Sequence, residues 1–267
     1  PYYGFETVEL SMGHTTSGLL GHYGLWLRSQ VSAAEIEMYS QAARVGEGGR
    51  FGAEAYDWEL PARLHNSVWT ANRAIDFFEH HDQSTPFLLA IGFQDPHHPH
   101  AVPTDFADRI GSDSVSMPRF SEGELDDKPP HFLAARNGTL KDSRFLGDYA
   151  MAGQGTGLDF TAVSEEDARE GRAYYYSMGK LIDREVGRIL DCLDRKGLAE
   201  NTLVIFLTDH GELLGDHGLW LKGPFHYEEL VRIPFILRWP QRVAGGQSLD
   251  GLVSQVDIVP SVLAALQ

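Results

Sequence analysis

The chain has 267 residues, with 38 Asp and Glu against 22 Lys and Arg, a formal charge of −16. At 42% hydrophobic and 22% charged residues it is too apolar for disorder and long enough to bury a sizeable core. The acidic balance argues against general nucleic-acid binding and against docking on anionic membranes. No apolar run reaches the roughly 18 residues that a bilayer span requires, and one cysteine, Cys192, excludes a disulfide framework or a multi-cysteine metal site. The compartment stays open on these grounds.

The chain opens on Pro1-Tyr2-Tyr3-Gly4-Phe5, without Met or a signal-like segment, and closes inside an apolar helical pattern at Ser261 to Gln267. It reads as an internal piece of something longer. Phe5 to Leu10 alternates as a short strand would, and residues 31–64, with Gly46, Gly48 and Gly49, predict helix, loop and turn. Val68, Ala71, Ala74, Ile75 and Phe78 recur at helical spacing up to about His81, with Asn66 or Ser67 as N-cap. Pro86 to Phe93 is a continuous apolar run that predicts a strand buried on both faces, followed at once by Asp95-Pro96-His97-His98-Pro99-His100.

Residues 101–163 change in texture, rich in Pro, Gly, Asp and Ser, with an acidic cluster from Glu122 to Asp127. So long an aperiodic stretch is functional or mobile. Met178, Leu181, Ile182, Val186, Ile189, Leu190 and Leu193 then form the stripe of a long helix that Gly197 closes. Strands follow at Thr202–Thr208, ending on Asp209-His210-Gly211-Glu212, and at Ile233–Trp239, before a last helical pattern from Asp257. Helices alternating with apolar strands predict an α/β layered sandwich, a mostly parallel central sheet flanked by helices. The likeness of Gly21–Arg28 to Gly215–Lys222 lacks matching flanks and reads as coincidence.

Ligands in such sheets bind beyond the carboxyl ends of strands, and two strand ends here carry ionisable clusters. Asp209 and His210 offer an oxygen and a nitrogen suited to a divalent metal, with Gly211 permitting the bend that turns both inward. An Asp209 that caps a following helix is an equally available reading. His97 stands directly beyond a strand end and suits an acid or anion-contact role, whereas His98 and His100 read as surface histidines. Lys222, between Leu221 and Gly223-Pro224, reads on physics alone as a solvated surface charge.

The segment Thr208 to Gly218, followed by Lys222-Gly223-Pro224, resembles the second metal-site segment of the sulfatase family in the alkaline phosphatase superfamily. Pro86-Phe87-Leu88 running into Asp95-Pro96-His97-His98-Pro99 is similar to that family's strand leading to a substrate-binding histidine. Tyr174-Tyr175, Ser177-Met178, Asp183, Gly187 to Leu190 and Gly197-Leu198 resemble its long helix, and Arg232 to Ile236 and Asp257 to Pro260 complete the order. The resemblance covers most of the chain except residues 31–65 and 101–165.

It implies an alkaline phosphatase-like fold in which all 267 residues belong to one catalytic domain, with 101–165 an irregular, cleft-lining insertion that sets specificity. It implies Asp209 and His210 as ligands of one divalent cation. His210 stands where many sulfatases have Asn; the His form is similar to phosphonate monoester and phosphodiester hydrolases and to a subset of sulfatases. That imidazole favours Mn²⁺ or Zn²⁺ over Ca²⁺, with Ca, Mg, Mn and Zn all left open as the cation. Lys222 and His97 become substrate-binding and catalytic: Lys222 on a nonbridging ester oxygen, His97 on the same group and as proton donor to the leaving oxygen. The family's nucleophile, a formylglycine made within a Cys/Ser-x-Pro-x-Arg segment, has no counterpart here, nor have its first aspartate pair and Gly-Lys-x-His segment. All three precede this stretch in the family, and Cys192, on an amphipathic helix, is rejected as nucleophile.

The expectation is hydrolysis of a small-molecule or glycan sulfate monoester by the full-length parent, this piece alone being inactive. The rivals are a phosphonate monoester or phosphodiester hydrolase on the same scaffold, raised by His210, and a non-catalytic anion- or glycan-binding relative.

Overall fold

A computed structural model describes residues 3–12, 20–42, 55–139 and 160–266. In chain order these form β1 (Ser11–Met12), α1 (Gly21–Gln30), α2 (Ala33–Ala42), β2 (Ala55–Trp58), α3 (Asn66–His80), β3 (His100–Pro103) and α4 (Pro130–Arg136). There follow α5 (Glu165–Arg195), β4 (Val204–Leu207), α6 (Glu228–Val231), β5 (Phe235–Arg238) and α7 (Ile258–Ala265). β2 and β3 pair in parallel, Ala55 opposite His100 and Trp58 opposite Pro103. β4 and β5 pair antiparallel, Val204 opposite Arg238. The α/β class is as predicted, and helices carry most of the core.

The central packing is α3 against α5. The apolar stripes predicted for both meet as Ala71, Ala74 and Phe78 against Ile189, Cys192 and Leu193. α5 starts well: the Ser164 side chain accepts from Asp167 N–H, and Glu165, Glu166 and Asp167 sit in its first turn against the helix dipole. Its end is closed by Gly197 in the left-handed region, φ +70°. Cys192 is fully buried there, its Sγ 3.6 Å from a Glu79 carboxylate oxygen. Burial pushes its thiol pKa up, as in structural rather than reactive cysteines.

Four local expectations are corrected. Residues Phe5 to Leu10 form no strand, because the Leu10 carbonyl accepts the His22 and Tyr23 N–H groups at 2.7 and 3.2 Å and so closes the start of α1. The N-cap of α3 is His65, whose ring accepts from Ser67 N–H; Asn66 is engaged with Ser11 and Gln94, and Ser67 with Asp95. Pro86–Phe93 is extended but unpaired with any described strand. Phe87, Leu89 and Phe93 pack on the α3–α5 core while Leu88 is 78% exposed, so one face is buried, not both. His100, finally, is no surface histidine: it opens β3, fully buried, edge-on to Tyr175. The predicted cluster Gly46, Gly48 and Gly49, and residues 140–159 of the predicted insertion, lie outside the described residues.

Candidate active site

The first strand end is built by burial. Asp95, 7% exposed, accepts a hydrogen bond from the Ser67 hydroxyl. Beneath it His65 has no exposed surface, with Nε2 3.2 Å from the Ala101 carbonyl and Nδ1 accepting from Ser67 N–H at 3.3 Å. A carbonyl can only accept, so Nε2 carries the proton. Burial lowers the His65 pKa, which keeps the ring neutral. Its 3.6 Å approach to Asp95 Oδ2 is therefore a close contact and not an ion pair.

On this base the chain turns, with His97 N–H bonded to the Gln94 carbonyl at 3.1 Å. His97 stacks on His98 with ring centroids 4.2 Å apart, and its Nδ1 donates to the His98 carbonyl at 2.6 Å. The proton on Nδ1 is thus committed, and Nε2 is the nitrogen that can exchange one with a ligand.

The second strand end is open. Beyond β4, Asp209 Oδ1 accepts from His210 N–H at 2.9 Å and from the Thr208 hydroxyl at 3.3 Å. No helix follows for Asp209 to cap. His210 Nδ1 donates to the Gly211 carbonyl at 2.8 Å, leaving Nε2 3.6 Å from Asp209 Oδ2. Gly211 serves here through its size rather than through an unusual φ. A Cβ on it would lie 1.8 Å from the Glu229 carbonyl oxygen, and its N–H bonds the Leu230 carbonyl at 2.9 Å.

The loop that follows is held from several sides. Arg172 of α5, 5% exposed, donates to the Leu214 carbonyl at 2.9 Å and reaches Asp216 at 3.5 Å. Asp216 also accepts from Arg119 N–H at 2.6 Å, and His217 N–H bonds the Arg119 carbonyl at 2.7 Å. Leu214, His217 and Leu221 all have φ between 47° and 62°, a concentration of strained backbone of the kind found at functional sites. His217 lies flat on Tyr227, centroids 3.7 Å apart, with Glu124 hydrogen-bonded at Nδ1 and Glu229 3.2 Å from Nε2. Lys222 ends the loop with Nζ buried from solvent, which corrects the surface-charge reading.

The predicted residues are brought to one place. Burial lowers the His97 pKa first of all; the His98 carbonyl opposes this, the charges of Lys222 and His210 add to it, and Asp209 works against it. His97 therefore lies within electrostatic reach of all three. The donor set of Asp209 and His210 fits a divalent cation as two of its ligands: a carboxylate and an imidazole whose other nitrogen is anchored, the usual means of aiming a metal-binding histidine. Among the described residues no group of three or more potential ligands forms.

Residues 54–267 match the family model for sulfatases. The chain belongs to the sulfatase family. It is 27% identical over 195 residues to the uncharacterized sulfatase YidJ of Escherichia coli strain K12, covering 73% of this chain and 34% of that protein. To an arylsulfatase of Clostridium perfringens it is 27% identical over 215 residues, covering 77% and 39%. The phosphonate monoester hydrolase of Agrobacterium radiobacter shares its fold, with a TM-score of 0.60 and 22% identity, over 82% of this chain and 41% of that one. This sulfatase chain thus spans well under half the length of the curated relatives it matches. Arg172 and Tyr227 escaped the sequence reading; Glu124 is visible there only as part of the Glu122–Asp127 cluster and His217 only within the Thr208–Gly218 motif.

Proposed function

We propose that the protein containing this sulfatase chain hydrolyses a sulfate monoester to an alcohol and sulfate, with a divalent cation held in part by Asp209 and His210. The observation that carries this reading is that His97 lies within electrostatic reach of Lys222, His210 and Asp209. It supports reading Lys222 as an anion-binding ammonium, His97 as a proton-exchanging imidazole and Asp209 with His210 as a cation-binding pair about one site. The metal, when bound, supplies Lewis-acid stabilisation of charge on the ester oxygens. Mn²⁺ or Zn²⁺ suits the imidazole better than Ca²⁺ or Mg²⁺ does.

This chain's own residues bind and protonate. Lys222, drawn out of water, directs its ammonium at a nonbridging oxygen, where a dry site strengthens the attraction as charge grows toward the transition state. His97 is neutral in the free site, because burial and nearby cations oppose its charging. An anionic ester between it and Lys222 reverses that balance, so Nε2 takes up a proton and passes it to the departing alcohol oxygen, while Nδ1 stays tied to the His98 carbonyl. Such general-acid help contributes about 10² to 10⁴ in rate. The nucleophile is assigned to a formylglycine outside these residues, and the chain by itself is inactive.

Metal titration and turnover of the full-length protein and its Asp209→Ala and His97→Ala variants test the assignment; unchanged turnover in both variants overturns it. His210 favours a second reading, phosphonate monoester or phosphodiester hydrolysis on the same scaffold. Rates measured side by side on an aryl sulfate and a phosphonate monoester decide between the two.

A further inference from the structure

A cleft of about 610 Å³ opens between the segment leading into α4 and the stretch that joins Lys222 to α6, a volume ordinary for a small-molecule site. One wall carries Lys128, His131 and Phe132, the other Pro224, His226 and Tyr227. The second wall follows Lys222 of the candidate site in the chain. Pro224 follows Lys222 by two positions, and its carbonyl lies 3.4 Å from His131 Nε2. Phe225 folds beneath Gly223 so closely that a Cβ there would meet its ring at 2.5 Å. The same ring stacks on His131 and lies edge-on to Phe132, 4.9 Å between centroids.

The chemistry of the cleft is selective. In a chain of net charge −16, no carboxylate is among its lining residues, which include a lysine and two histidines. Lys128 holds its ammonium 5.6 Å from the centre of the Tyr227 ring, a cation over a π-face. The nearby Glu124 acts on Lys128 electrostatically, but its carboxylate is already engaged by His217. Tyr227 is fixed by stacking on His217, yet its buried hydroxyl has no hydrogen-bond partner among the described residues, a state native structures seldom leave unfilled.

We propose that this cleft is the leaving-group subsite of the sulfatase site, and that it takes a ring bearing a second negative charge. The ring packs along Phe132 and Pro224, the extra anion meets Lys128, and the Tyr227 hydroxyl completes the contact. The inference rests on the sulfate-ester reading above and makes Lys128 and Tyr227 specificity-determining residues. The shared chemistry is a flat or puckered ring with an anionic substituent, which an acidic aryl alcohol and an acidic sugar both provide.

In the full-length enzyme, kcat/KM is compared for 4-nitrophenyl sulfate and its ring-carboxylated analogue, and for a monosaccharide monosulfate and the same sugar with a second sulfate. The charged member is preferred in at least one pair, and the pair showing it identifies the ring. Lys128→Gln lowers that preference about tenfold, the worth of one charge-assisted contact, Lys128→Arg retains it, and Tyr227→Phe lowers it about threefold. Lys128 is exposed, so these substitutions leave the fold intact. Turnover of all four esters with no preference, or a preference that Lys128→Gln leaves unchanged, overturns the subsite alone. Failure to turn over any of the four refutes the sulfatase reading along with it.

Discussion

The turns at Asp95 and at Asp209 both follow extended segments and both face the candidate site, but they treat their carboxylates in opposite ways. Asp95 is 7% exposed and sits in a closed set of bonds with Ser67, above a neutral, wholly buried His65. The Asp209 side chain is 83% exposed and that of His210 37%. A buried polar group must be satisfied when the chain folds, so the Asp95 turn is finished by folding and serves as a base for His97. The Asp209 turn leaves its charge in water, where a cation bound as proposed would compensate it. One end is built for position, the other for exchange.

That contrast separates activity from stability. The largest effect is expected at the open end: Asp209→Ala lowers kcat/KM of the full-length protein about 10³-fold, comparable to loss of a principal transition-state stabiliser. The unfolding free energy of this chain changes by less than about 0.5 kcal/mol on the same substitution, as at other exposed positions. A urea titration showing a large stability loss would erase the distinction between the two ends. The closed end behaves inversely. Asp95→Ala strands the Ser67 hydroxyl in a buried site and costs about 2–3 kcal/mol of stability, read from the urea midpoint.

Gly211→Ala probes the backbone that carries the open end. Its Cβ would need the space of the Glu229 carbonyl, so the 209–211 turn must move away from α6, at about 1–3 kcal/mol. Displacing His210 with it, the substitution also weakens metal binding by the full-length protein, measured by calorimetric titration. Unchanged metal affinity would mean that Gly211 is needed only for folding.

How much of this was legible follows from where the partners lie. The α3 and α5 stripes and β4 with Asp209-His210 at its end are local patterns, and they hold. Lys222 has no local sign of burial: its seclusion depends on its setting in the folded loop, so physics applied to the sequence made it a surface charge, and only the family resemblance corrected it. Phe5 to Leu10 alternates like a strand, but the Leu10 carbonyl is claimed by α1, a tertiary bond that periodicity cannot register. Pro86 to Phe93 was read from composition as doubly buried, whereas burial depends on what lies across each face. Arg172 and His217 act on partners 42 and 93 positions away at Leu214 and Glu124, contacts that no window along the chain contains.

The smallest effect tests the claim that His65 stays neutral. Burial holds the folded-state pKa of His65 below its ordinary value of 6.5. Below pH 6.5 the unfolded chain therefore binds a proton that the folded chain refuses. By linkage, stability is complete above that pH and declines as the pH falls through it, by at most about 1.4 kcal/mol per unit for one proton. His97, lowered for similar reasons, adds in the same direction, so the slope must be apportioned. His65→Gln removes one titrating group and flattens the decline between about pH 6.5 and 5, seen as a smaller shift of the urea midpoint, whatever the variant's absolute stability. An equal slope in wild type and variant would mean that His65 is charged when folded. The 3.6 Å approach to Asp95 would then be an ion pair.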